Sequence, residues 1–230
     1  PTLSQAFVPW FKRVVPNDNQ QAELILEQIK REGTGSIAIL SIESYDTRYA
    51  VRSLTKTVAR ETGLSPLVID LDANEIDQAD LVSKILNKKI DQLVIPYDAP
   101  YLKNLILRLR EENPDLRIYG TLHFTMGLES REDAWKPYEG MYLIAPELNR
   151  GESHALQESR SAYIYDAVNL VINAIKQVGT ERVAITDYIS DTEYSGSITG
   201  SIIFDELGNR LVAASLVHIQ NGHAIVIDQP

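Results

Sequence analysis

The sequence predicts an α/β fold: an open parallel sheet covered by helices on both faces, followed by C-terminal helices and β-hairpins. Two observations carry this. Short runs that are apolar at every position alternate with amphipathic stretches of helical period over the first ~145 residues, and strands apolar on both sides belong to parallel sheets buried between helices. The last third changes character, with one long apolar helix and then Gly-punctuated, hairpin-like segments.

The elements follow in order. Asp18 to Glu32 places Ala22, Ile25, Leu26 and Ile29 on one helical stripe, with Asn17 or Asp18 to cap its start and Gly33 to end it. Ser36–Ile42 reads as a buried strand and Thr47–Thr62 as a helix stopped by Gly63. Pro66–Leu71 is a second strand and Gln78–Asn87 a second crossover helix. Gln92–Tyr97 is a third strand, and Pro100 suits the first turn of the helix that runs to Glu112. Weaker strands are expected at Arg117–Thr121 and Met141–Ala145. Ser159–Val178 is apolar over most of its circumference, which predicts burial on more than one side. A short helix near Glu181–Ile189 precedes the Gly196–Gly200 segment. A hairpin is expected from Ile202–Phe204 through Gly208-Asn209, and another turning at Asn221-Gly222, since both positions of Asn-Gly tolerate positive φ.

Composition narrows the function. The 230 residues carry a net charge of −10, with 22 basic residues scattered along the chain. Nucleic-acid binding needs a clustered basic surface, and none is visible. No apolar run approaches the ~20 residues of a membrane span, so membrane insertion is not expected. The absence of cysteine removes disulfides, thiol catalysis and thiolate metal sites.

In an open parallel sheet, ligands bind beyond the carboxyl ends of the strands. Those ends bring Glu43, Ser44 and Tyr45; Asp70 and Asp72; Tyr97 and Asp98; Leu122 and His123; and Pro146 and Glu147 to one rim. It holds aromatic, hydroxyl and acidic groups and neither Lys nor Arg. Such a rim suits a small polar ligand with a cation or hydrogen-bond donors and suits phosphate poorly. Tyrosines here, including Tyr101, supply area with one polar handle.

Several stretches, in order along the chain, resemble the type I periplasmic solute-binding proteins, the branched-chain amino acid, amide and urea receptors of ABC transporters. These are Phe11–Ala22, Ile39–Tyr49, Glu139-Gly140-Met141, Ser161–Ile175 and Tyr194–Arg210. The last is similar to that family's Gly-x-x-Gly-x-x-x-Phe-Asp-x-x-Gly-Asp stretch. The resemblance implies two α/β lobes that clamp a ligand by hinge closure, with the N-terminal half of the first lobe missing. Residues 1–146 then correspond to the second lobe, 147–210 to part of the first, and 211–230 to a hairpin returning to the second. It also implies a periplasmic or extracellular location, no enzymatic activity and no cofactor, with an ABC permease or a signalling domain as partner. Residue by residue, Tyr45 matches the ligand-stacking aromatic, although Asp46 stands where the family commonly has glycine. Tyr97 or Asp98 matches a second ligand-facing position. Leu122 falls where branched-chain amino acid binders place a glutamate for the ammonium group, and His123 or Asp98 can compensate.

Other readings fit less well. A phospho-accepting receiver domain needs a lysine near Pro146–Glu147, and a dinucleotide site needs a Gly-rich turn after the first strand rather than before it. His218 and His223 fall on one face of the last hairpin without a third metal ligand. No nucleophile elbow is present. The second functional expectation is a regulatory or interaction lobe that binds no small molecule and docks a protein partner or forms a homodimer through the apolar surface of the Ser159–Val178 helix.

Overall fold

The computed structural model describes residues 8, 10–71, 78–128, 135–146, 159–211 and 214–227. The chain divides into two compact units. One comprises Asp18–Ile144 and Leu216–Pro230, the other Pro1–Asn17 and Ala145–Ser215.

The larger unit is built on a seven-stranded sheet in the order β2-β1-β3-β4-β5-β6-β7. Its strands are β1 (Ile37–Ile42), β2 (Leu67–Leu71), β3 (Gln92–Ile95), β4 (Arg117–Gly120), β5 (Tyr142–Ala145), β6 (Ser215–Gln220) and β7 (His223–Val226). The first five are parallel, with β1 between β2 and β3. The final pair is antiparallel. Ile37, Ala38, Ile39 and Leu40 are all buried, as are all four residues of β3. Successive side chains of a strand point to opposite faces, so both faces of the central sheet are covered.

The covering helices are α1 (Asp18–Glu32), α2 (Tyr45–Thr62), α3 (Gln78–Asn87) and α4 (Leu102–Glu112). The buried stripe of α1 is Gln21, Ala22, Ile25, Leu26, Gln28 and Ile29, and that of α4 is Leu102, Leu105, Ile106 and Leu109. Helix α2 starts on Ser44, whose side-chain oxygen accepts from the Thr47 N–H at 3.1 Å, and stops on Gly63 at φ 72°. The last hairpin turns on Asn221 and Gly222, both at positive φ, with Gln220 opposite His223 as the Asn-Gly signal requires.

Some boundaries differ from expectation. Pro100 precedes α4, whose N-cap is Tyr101. Residues after β4 form a further helix, α5 (Leu122–Gly127), where a strand end and loop were expected. Its first N–H groups need acceptors, and Gln21 of α1 supplies one: Leu122 N–H donates to Gln21 Oε1 at 2.8 Å.

The smaller unit holds α6 (Ser159–Val178) and α7 (Arg182–Asp191, capped by the Glu181 side chain). Around Leu170, Ala174, Ile189, Ile202 and Phe204 it forms its own small core. The expected hairpin from Ile202–Phe204 is reduced to single bridges, Tyr194 with Ile202 and Phe204 with Arg210. Helix α6 is buried on one face only, through Ala162, Tyr163, Asp166, Leu170 and Ala174. This corrects the expectation of burial on several sides, because the described residues provide no layer over its other apolar face. A buried polar network pins the unit's loops. The Asp166 carboxylate accepts from the Ile198 and Thr199 N–H groups and from the Thr199 hydroxyl. That hydroxyl in turn accepts from Arg210 Nη1 at 2.9 Å, and the fully buried guanidinium also donates to the carbonyls of Val14, Thr199, Gly200 and Ser201.

Candidate functional site

The order β2-β1-β3-β4-β5 reverses direction at β1. The chain leaves β1 toward β2 on one side and leaves β3 toward β4 on the other, so the connections after β1 and β3 diverge and leave a crevice at their carboxyl ends. The segments flanking this switch point are Glu43–Tyr45 at the start of α2 and Pro96–Tyr101 before α4.

Tyr45 is the first residue of α2; its side chain, with that of Asp46, lies outside the described residues. Tyr97 is buried, and its hydroxyl is 2.8 Å from that of half-buried Tyr101. Burial raises the pKa of both phenols, so each stays a neutral donor-acceptor at physiological pH. The structure therefore brings together two tyrosines of this loop, one as floor and one toward the surface.

Asp98 is exposed at the same loop. Its carboxylate rests against Gly127 at the end of α5, where a side chain on residue 127 would collide with it. This contact sets Asp98 against the end of α5 and was invisible in sequence, since Gly127 reads there as an ordinary helix end. Leu122 is buried, held through its N–H by Gln21, whereas His123, next along α5, is exposed.

Thr121 is a rim residue that the sequence reading did not single out. Its hydroxyl is buried without a hydrogen-bond partner at the carboxyl end of β4, beside the N-terminus of α5. Threonine before a helix is a usual capping residue. Here Gln21 holds the next residue's N–H instead. Asp70 lies within β2 and Pro146 is buried just after β5, while Asp72 and Glu147 lie outside the described residues. Among the described residues, no group of three His, Asp or Glu side chains is arranged to hold a metal ion. No described helix is long and apolar enough to cross a membrane.

No protein-family model matches this chain, and no curated protein matches it by sequence. Solved structures do. A solute-binding protein of an ABC transporter from R. palustris, in complex with benzoate, superposes with a TM-score of 0.76 at 14% identity, over 94% of this chain and 64% of that one. A leucine-binding protein from Thermotoga maritima gives 0.75 at 15% identity, over 94% and 67%. The branched-chain amino acid substrate-binding protein of Streptococcus pneumoniae, in complex with isoleucine, gives 0.68 at 19% identity, over 94% and 66%. The chain has the fold of the type I periplasmic solute-binding proteins. At these identities the likeness is one of fold, and the chain spans only about two thirds of the length of the proteins it matches. Those neighbours are binding proteins rather than enzymes.

Proposed function

We propose that this chain is a non-enzymatic receptor component that binds a small polar ligand, amino-acid-like or amide-like, at the carboxyl ends of β1 and β3. The observation that carries the reading is the reversal of strand order at β1, which opens a crevice flanked by the start of α2 and the Pro96–Tyr101 loop. Tyr45 supplies a stacking face. Tyr97 supports Tyr101, whose hydroxyl turns toward the ligand. Asp98, braced by Gly127, accepts from an ammonium or amide N–H group. His123 and the Thr121 hydroxyl complete the polar rim, with Leu122 as its apolar floor. None of the residues 43–46, 96–101 and 121–123 is Lys or Arg, which favours the cationic or neutral end of a ligand over a carboxylate at this edge. The neighbours' ligands, benzoate and isoleucine, fix the size class for the screen. The same likeness supports an extracytoplasmic location and service to an ABC permease or a signalling domain.

The test is a thermal-shift panel of branched-chain amino acids, benzoate, aliphatic amides, urea and polyamines. A ligand at a hundred times its Kd adds about 2.7 kcal/mol of stability, which moves Tm by roughly 5–10 °C in a chain of this size. The expected hit is lost in Tyr45→Ala and weakened at least tenfold in Asp98→Asn. No shift from any compound, or a hit indifferent to both substitutions, would refute this site. A chain indifferent to the whole panel would instead be the regulatory or interaction lobe, a reading favoured by the uncovered face of α6.

A further inference from the structure

We propose that Asn221 is a site of spontaneous deamidation and that the Glu139 carboxylate restrains the reaction. This inference concerns the β6–β7 turn and does not rest on the ligand reading.

Two adjacent residues set the chemistry. The main-chain nitrogen of the residue after an asparagine can attack that asparagine's Cγ. Its proton passes to water, the bond from Cγ to the side-chain nitrogen breaks, ammonia leaves, and a succinimide ring remains. Water then opens the ring at either carbonyl, giving aspartate or isoaspartate. Glycine in the second position has no Cβ to hinder the attack. Asn221-Gly222 is the chain's only Asn-Gly pair, and Asn221 is exposed to water at the tip of the last hairpin.

The local geometry opposes the attack. In the ring, Cγ stands where the hydrogen of the glycine N–H stood. Here that direction is taken: Gly222 N–H donates to Glu139 Oε2 at 2.9 Å, and Asn221 N–H donates to Oε1 at 2.7 Å. One carboxylate thus grips both amides of the turn. To react, the glycine nitrogen must leave the carboxylate, lose its proton beside a negative charge, and turn toward the asparagine side chain. Both residues sit at positive φ, 53° and 72°, and Gln220 pairs with His223 across the turn, so that rotation also disturbs the hairpin. Glu139 is itself tied to β6 through its neighbours. Gly140 N–H donates to the Ile219 carbonyl at 2.7 Å, and Ile219 N–H donates to the Met141 carbonyl at 2.9 Å. The Arg110 guanidinium lies beside Gly140 and attracts the carboxylate. Release has a lasting effect. Isoaspartate adds one atom to the main chain between Gln220 and His223, and either product brings a second negative charge into the turn that Glu139 holds. The edge strand β7, paired through this hairpin, then loses its register.

The test ages the 230-residue chain at physiological pH and temperature and follows the Asn-to-Asp mass gain at residue 221 by peptide mass spectrometry. The folded parent should deamidate there about a hundredfold more slowly than the same chain unfolded in guanidinium, and Glu139→Ala should recover about tenfold or more of that rate, the factor that two charge-assisted hydrogen bonds supply. Glu139→Gln keeps the shape but offers one uncharged acceptor oxygen, so its rate should fall between those of parent and Glu139→Ala. Val217→Ala loosens the same hairpin from its buried side and leaves the Glu139 contacts in place, so it should speed the reaction less than Glu139→Gln does. If Glu139→Ala loses the far-ultraviolet dichroism of the parent, the ranking of Glu139→Gln against parent and Val217→Ala decides alone. Equal ageing of folded and unfolded chains, a Glu139→Gln rate equal to the parent's, or a larger acceleration by Val217→Ala would each overturn the proposal.

Discussion

Glu32, the last residue of α1, is held by a side chain from the preceding helical turn and by three from two strands, and its removal is the sharpest perturbation the larger unit permits. Tyr142 donates its hydroxyl to Oε1, which also accepts from Gln28 Nε2 at 2.9 Å. Tyr119 donates to Oε2 at 3.4 Å, and Arg117 Nε lies 2.9 Å from the same atom. Tyr119 and Tyr142 stack with centroids 5.3 Å apart, and Tyr142 stacks on His218 at 4.3 Å, so three rings bridge β4, β5 and β6. Burial first, and then the bond to Glu32, pushes the Tyr142 phenol up to about 12; burial raises Tyr119 as well. Glu32→Ala would strand three buried donors, those of Gln28, Tyr119 and Tyr142. At about 1–3 kcal/mol for each unsatisfied group, partly relieved by entering water, the expected loss is about 3–5 kcal/mol. The Arg117 pair adds little, because Arg117 is well exposed. Glu61→Ala, which breaks exposed pairs with Lys30 and Arg60, is the control and should cost under ~1 kcal/mol. Urea unfolding followed by Trp135 fluorescence, in a Trp10→Phe background, reads the larger unit, in whose core Trp135 is buried. Tyr142→Phe should cost about 1–2 kcal/mol in the parent and nearly nothing once Glu32 is alanine, because the hydroxyl then has no acceptor to lose. A cost for Tyr142→Phe that is equal in both backgrounds, or a Glu32→Ala loss below ~1 kcal/mol, would refute this account.

Three further outcomes are expected. Arg210→Met should lower the smaller unit's stability by about 3–5 kcal/mol, because four carbonyls and the Thr199 hydroxyl lose a buried charged donor; protease susceptibility of the 196–211 segment reports it. Gly208→Ala should cost about 2–4 kcal/mol in the same assay. Gly208 sits at φ 76°, and a Cβ there meets the Phe11 carbonyl oxygen, which is backbone and cannot swing aside. Burial lowers the His218 pKa, opposed by a bond to Gly140, by Glu32 and by Glu139, and assisted by Arg110. Above its unfolded pKa of ~6.5 the imidazole is neutral in both states. As pH falls through that value the unfolded chain takes the proton first, so stability drops toward the folded pKa. His218→Gln should flatten that slope in urea titrations between pH 7.5 and 5, and an unchanged slope would assign it elsewhere.

The sequence by itself determined the layers of the larger unit. Runs such as Ile37–Leu40 are apolar at every position, which only a sheet covered on both faces tolerates, and the stripes of α1 and α4 fall on the residues that period 3.6 marks. Gly63 and Asn221-Gly222 were legible as a helix stop and a hairpin because their conformations require positive φ, a property of the residue and not of its surroundings. Tertiary structure decided everything that depends on residues distant in the chain. The order that puts β1 beside β3 creates the switch point, and no local pattern encodes it. Gln21 accepts from the first N–H of α5 from 101 residues away, and the Thr121 hydroxyl at the same helix start is buried and unpartnered. Gly127 accommodates Asp98, and Glu32 collects two tyrosines and an arginine, only because packing brings α5 and β3, or α1 and β4, together. The misreading of α6 has the same cause. Apolar periodicity records that a face is suited to burial, but whether another layer covers that face is settled by tertiary contacts.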